Sequence, residues 1–291
     1  MIHEEMTKSI RAVCEKLLES GTVDLIIAYR GGGLNDLQVP YFAKGPSDAQ
    51  NIEWGDRCYQ NIPPYLHGLK KKAGILAKPC DARAIVQYIT EQQIRREDVY
   101  IIGVDCAGMV DEDGKLRPGC PDCTVRKPPL YDEYIQDGRI LPSDPRADGI
   151  KTEKPETEEG GLEENFERFQ KEIQKCILCY ACRQACYGCY CKECFIERDQ
   201  TGWQPAALDA GTKMTFHLGR TMHLAGRCVE CGACEASCQS GVNVRYIIKN
   251  VSTFIEELYG YRAGMDADKK PALLTNRFDD REIGFLGGPH A

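Results

Sequence analysis

Two cysteine runs constrain this chain more than any other feature. Cys176-x2-Cys179-x2-Cys182-x3-Cys186 and Cys228-x2-Cys231-x2-Cys234-x3-Cys238 are one spacing written twice, 52 residues apart. Three thiolates so spaced can wrap three irons of a cubane while the backbone turns around one corner, and the fourth ligates the neighbouring cluster. The fourth cysteine is expected to start a helix leading away. The spacing thus predicts one 4Fe–4S cluster on Cys176, Cys179, Cys182 and Cys238, and a second on Cys228, Cys231, Cys234 and Cys186. Zinc is the alternative for C-x2-C pairs, but it usually takes two separated pairs, which a third thiolate at x2 and a fourth at x3 fit poorly. The proline that usually follows the fourth cysteine is absent, with Tyr187 and Gln239 in its place. An N–H is thereby retained, and N–H bonds to cluster sulfur raise the potential.

The 291 residues contain 17 cysteines, an odd number that disulfides alone would leave with a stranded thiol. Length and a hydrophobic content of 42% allow two cored domains, which excludes a small disulfide scaffold. Neither a leader nor a run of about 20 apolar residues is visible. The chain therefore reads as cytoplasmic, without direct membrane insertion. A net charge of −7 without a Lys/Arg-rich block argues against nucleic acid as a partner.

The first half alternates helix and strand. Met6, Ile10, Val13, Leu17 and Leu18 recur at helical spacing up to Gly21, and Val23–Tyr29 is a strand-length apolar run before Gly31-Gly32-Gly33, read as a turn. Strands at 73–77 and 99–104 flank a helix over 82–93 with Asp81 as its cap, a βαβ unit whose strands are parallel neighbours. Cys80 and Cys106 then leave those strands at the same carboxyl edge, and Cys120-Pro121-Asp122-Cys123 lies on a loop able to fold over it. These four cysteines form a candidate third cluster site, with zinc or free thiols as the alternative. Residues 1–126 are expected to form an α/β domain. A Pro-interrupted, charged linker follows over 127–161, then an all-α domain over 162–254 and a docking tail over 255–291. Helices are expected at 162–175, with Phe166, Phe169 and Ile173 on one face, and at 212–225.

Cys189-x-Cys191-x2-Cys194 supplies three ligands of a possible fourth cluster, or spare thiols beside the first run. Cys58 either replaces one of the four edge cysteines or completes the Cys189 group. Cys14 reads as a core thiol, and His217 and His223 as surface or packing residues. No P-loop, haem site or nucleophile elbow occurs, and no catalytic residue is expected.

The duplicated run is that of bacterial ferredoxins, and the 41 residues between Cys186 and Cys228 make the domain resemble the α-helical ferredoxin of fumarate reductase iron–sulfur subunits and of the heterodisulfide reductase C subunit. GILAKPCDARAIV, VYIIGVDCAGM and PGCPDC, in that order, resemble the beta-subunit family of deazaflavin-reducing hydrogenases and formate dehydrogenases. The later cysteine blocks resemble an extended bacterial branch in which a dicluster domain is appended. The resemblance implies an iron–sulfur electron-transfer subunit, with a flavoprotein hub of heterodisulfide-reductase type on one side and a formate dehydrogenase or hydrogenase subunit on the other. Deazaflavin-reducing members bind FAD in a larger domain. With only residues 1–126 ahead of the linker, an FAD-containing subunit reducing a deazaflavin or nicotinamide coenzyme is the alternative.

Overall fold

The computed structural model describes residues 2–32, 37–137, 161–197 and 207–275. Helix α1 (Ile2–Glu19) buries Met6, Ile10, Cys14 and Leu17 along one stripe and gives way to Gly21 at φ +65°. Cys14 is a fully buried core thiol. Beyond it lies a five-stranded sheet of order β2-β1-β3-β4-β5: β1 (Leu25–Arg30), β2 (Val39–Ala43), β3 (Ala73–Ala77), β4 (Val99–Val104) and β5 (Glu133–Ile135). Only the β1–β2 pair is antiparallel. β3 and β4 span the expected residues and run parallel with Ala77 opposite Gly103, so their carboxyl ends align.

Two strands were not expected from sequence. β2 contains Pro40, which is compatible with the edge position it occupies. β5 has three residues and falls inside the stretch read as a linker from 127, so the sheet continues past that boundary. Residues 138–160 of the expected linker, and Gly33 of the glycine turn, lie outside the described residues.

Helix α2 (Pro79–Thr90) begins earlier than expected. Pro79 takes the first helical position, for which its fixed φ is suited, and Lys78 is the cap residue. Asp81 is not the cap: it is the third helical residue, and its carboxylate accepts the Lys78 backbone N–H at 3.3 Å. Both side chains are buried, and the Lys78 ammonium stands 2.6 Å from the same carboxylate. Ala82 and Ile85 face the sheet core. Ala84 and Tyr88 enter a second core with Tyr187, Val229, Ile255, Tyr261, Ala263 and Ala272.

From residue 161 the described residues hold helices and turns and no strand: α3 (Leu162–Gln174), α4 (Ala181–Gln184), α5 (Ala210–Leu224), α6 (Ala233–Ala236) and α7 (Val244–Tyr259). Phe169 and Ile173 of α3 pack with Ile247 of α7, whereas Phe166 is half exposed. The stretch read as a docking tail is partly built in: Ile255 lies on α7, and Tyr261, Ala263 and Ala272 pack against α2. Its remainder, 276–291, lies outside the described residues. No helix among the described residues is long and apolar enough to cross a membrane.

Candidate iron–sulfur sites

The duplication extends to backbone conformation. Leu178 and Tyr180 in the first run, and Glu230 and Gly232 in the second, hold φ values of 52°, 58°, 61° and 73°. These are equivalent positions 52 residues apart, and three of the four carry side chains in a region that favours glycine. A short helical turn follows each pair, α4 in one run and α6 in the other. The Leu178 N–H donates to Cys176 Sγ at 3.3 Å, and the Glu230 N–H donates to Cys228 Sγ at 3.4 Å. Val242 N–H adds a bond of 3.3 Å to Cys238 Sγ. Cys186 and Cys238 stand just past these helical turns and do not open a helix.

Mutual charge effects group the thiols. Burial raises the pKa of Cys176, and so, to a smaller degree, do the nearby Cys238 and Cys179; Cys182 responds to the same neighbours. Burial likewise raises Cys228, with Cys234, Cys231 and Cys186 adding to it. The last cysteine of each run thus sits beside the first cysteines of the other. The half-buried Cys189 thiol hydrogen-bonds Cys186, which lowers the pKa of Cys186 and raises its own.

Helix α5 lies against both runs. Phe216 packs edge-on to Tyr180, with ring centroids 5.1 Å apart. Arg220 is 3% exposed, donates from Nη2 to the Cys182 carbonyl at 3.2 Å, and brings its guanidinium within hydrogen-bonding reach of Cys186 and Cys189. Sequence reading missed this residue, because a lone arginine on a helix carries no spacing signal. His217 is buried, and His223 packs edge-on to Phe195.

Cys80, Cys106, Cys120 and Cys123 line one small cavity of about 50 Å³ beyond the carboxyl ends of β3 and β4. Cys80 enters it from the first turn of α2, and Cys106 directly after β4, where its N–H donates to the Arg126 carbonyl at 3.0 Å. The Met109 N–H donates to Cys120 Sγ at 3.4 Å, and the Cys123 N–H to the Cys120 carbonyl at 3.3 Å. Burial pushes Cys106 up to about 12 and raises Cys80 and Cys120. Such thiols stay protonated until a metal displaces the proton. Cys58 does not line the cavity. It lies in the sheet core next to Cys106, accepts the Gly55 N–H at 3.4 Å, and burial pushes it up to about 12.

The far wall of this cavity belongs to the second run: Cys231, Gly232 and Ala233. Backbone meets backbone there. A Cβ on Gly232 would stand 1.7 Å from the Pro118 carbonyl oxygen, and one on Gly119 would stand 2.8 Å from the Glu230 oxygen. Asn61 donates to the Ala185 carbonyl at 3.0 Å and to Cys231 Sγ at 3.6 Å. Asp122, between Cys120 and Cys123, pairs with Arg245 at 2.8 Å and Lys249 at 3.2 Å on α7.

The third group is dispersed. Cys189 turns to Cys186 and Arg220, Cys191 is exposed, and the Cys194 N–H bonds Glu197 at 3.2 Å. Among the described residues no three His, Cys, Asp or Glu side chains converge where a single metal ion would sit. A cubane is a different target, since its thiolates cap four separate corners of an iron–sulfide core. The donor chemistry suits it: all-thiolate groups, sulfurs already accepting backbone N–H bonds, and a buried cation beside them.

An α/β lobe and a helical lobe meet over a cavity that cysteines of both lobes line. The chain is related along nearly its whole length to beta subunits of F420-dependent formate dehydrogenases. It is 24% identical to F420-dependent formate dehydrogenase subunit beta of Methanocaldococcus jannaschii, over 365 aligned positions covering 92% of this chain and 94% of that protein. It is 25% identical to F420-dependent formate dehydrogenase 1 subunit beta of Methanococcus maripaludis, over 364 positions covering 91% and 92%. Both alignments are longer than the 291 residues here, so the relatives carry segments without a counterpart in this chain. No family model matches the sequence.

Proposed function

We propose that this chain is the electron-transfer subunit of a formate dehydrogenase complex, carrying 4Fe–4S clusters in both lobes. One cluster is held by Cys176, Cys179, Cys182 and Cys238, a second by Cys228, Cys231, Cys234 and Cys186, and a third by Cys80, Cys106, Cys120 and Cys123. The helical lobe then acts as an α-helical ferredoxin. The observation that carries the reading is the cavity in which four cysteines of the α/β lobe face Cys231 of the helical lobe. It makes the two lobes one continuous route.

Bound clusters would supply reversible one-electron transfer without a proton. The chain's own groups do the rest. Thiolates hold iron, while the N–H groups of Leu178, Glu230, Val242 and Met109 stabilise charge on the ligand sulfurs. Phe216, Val242, Val244 and Ile248 pack with Cys176, Cys182 and Cys234 and shield those three thiols from water. The partners in this reading are the catalytic subunit of formate dehydrogenase, or a hydrogenase, on one side and a flavoprotein hub on the other.

The F420 dependence of the two relatives favours a second reading, an FAD-containing subunit that reduces a deazaflavin or nicotinamide coenzyme directly. Iron, acid-labile sulfide, zinc and flavin measured on anaerobically purified protein separate these. About twelve irons per chain without flavin supports the three-cluster relay, at four per cubane. About eight removes the α/β-lobe cluster. Equimolar FAD moves the assignment to the coenzyme-reducing subunit, and stoichiometric zinc without iron ends both readings.

A further inference from the structure

We infer that Arg220 is one buried positive charge shared by the two clusters of the duplicated run, and that it sets both reduction potentials. This rests on the iron–sulfur reading above. Arg220 touches both ligand sets: its Nη2 donates to the carbonyl of Cys182, a ligand of the first set, and its guanidinium reaches Cys186, a ligand of the second. It is 3% exposed, and its Nε has no hydrogen-bond partner among the described residues. No carboxylate among the described residues pairs with it, and the ionisable groups that act on it most are Cys186, Cys189, Cys234 and Cys182.

The physical consequence has a sign. A cubane with four thiolates is anionic and becomes more so on reduction, and a fixed cation in a low-dielectric site favours the more negative state. Arg220 therefore raises both potentials. A planar guanidinium presents a rigid fork of donors that can address groups on two sides at once. Lys78, the buried cation beside the other cavity, has no such freedom, because Asp81 lies 2.6 Å from it.

The test is an EPR-monitored redox titration of the full chain, loaded anaerobically with iron and sulfide and reduced with dithionite. It compares the unsubstituted protein with Arg220→Gln and Arg220→Lys, with iron and acid-labile sulfide measured on each. The two clusters of the run are recognised by their mutual spin coupling. At equal iron content both should titrate at more negative potential in Arg220→Gln, and Arg220→Lys should recover part of the shift. Unchanged potentials in fully loaded Arg220→Gln overturn the inference. If Arg220→Gln loses iron while Arg220→Lys keeps it, the need for charge is supported. If both lose it alike, the residue serves packing and the inference falls. An unsubstituted protein that takes up no iron is a separate result, which removes the cluster reading itself.

Discussion

The buried imidazole of His217 makes the helical lobe sensitive to acid. Burial, with the Arg220 charge adding to it, pushes its pKa down to about 4. The unfolded chain titrates the same group near about 6.5. Above that pH both states are neutral and the residue has no effect on stability. Below it the unfolded chain binds a proton that the folded chain refuses, so stability falls until pH reaches about 4. The loss over that window is about 3 kcal/mol. A His217→Gln variant should lose less thermal stability than the unsubstituted protein between pH 6.5 and 4.5. Every other titrating group is common to the two proteins, so equal slopes would refute the assignment. Arg220 was not legible from sequence, because its role depends on a neighbour 38 residues away, the Cys182 carbonyl.

At the scale of elements, the contact between the Pro118–Gly119 loop and the second cysteine run is the most demanding. Gly232 combines φ +73° with a Pro118 carbonyl where a Cβ would lie, whereas Gly241 has φ +65° and open space around it. Gly241→Ala should therefore cost about 1 kcal/mol, from backbone strain alone. Gly232→Ala adds overpacking against rigid backbone and should cost about 3 kcal/mol or more. Thermal melts of the two anaerobic holoproteins check the order, and equal shifts would show that the loops do not meet. Sequence reading found β3, β4, α3 and α5, because apolar runs and helical periodicity are local signals, but it named no helix over α7 and placed a domain boundary inside it. It missed β2 and β5, short edge strands whose pairing is set by neighbours. It also missed the loop contact, since a glycine needed for close approach looks like any other turn glycine.

Across the whole molecule, α2 is the joint. Arg83 donates to the Ala263 carbonyl at 3.0 Å and to the Val229 carbonyl at 2.9 Å, and Tyr88 donates to the Tyr187 carbonyl at 2.8 Å. Arg227 grips Glu91 through two bonds of 2.6 and 2.7 Å. The cysteines consequently differ in access by position in the assembly. Brief alkylation of the native apo chain with iodoacetamide should label Cys179 and Cys191, which are exposed. Cys14 and Cys58, fully buried with pKa values pushed up to about 12, should react only after unfolding. Peptide mass spectrometry reads the order, and early labelling of Cys58 would contradict its place in the sheet core. Sequence reading placed four cysteines at one sheet edge, since parallel strands bring their ends together. It could not show that a fifth, Cys231, stands across from them, because that depends on how the lobes dock. The docking also gives the duplication a direction. The two runs match in spacing, yet the first carries Tyr180 where the second carries Gly232, and only glycine leaves room for the Pro118 carbonyl. The copies cannot exchange places: one is an inward terminal and the other an outward one, a polarity written in a single missing side chain.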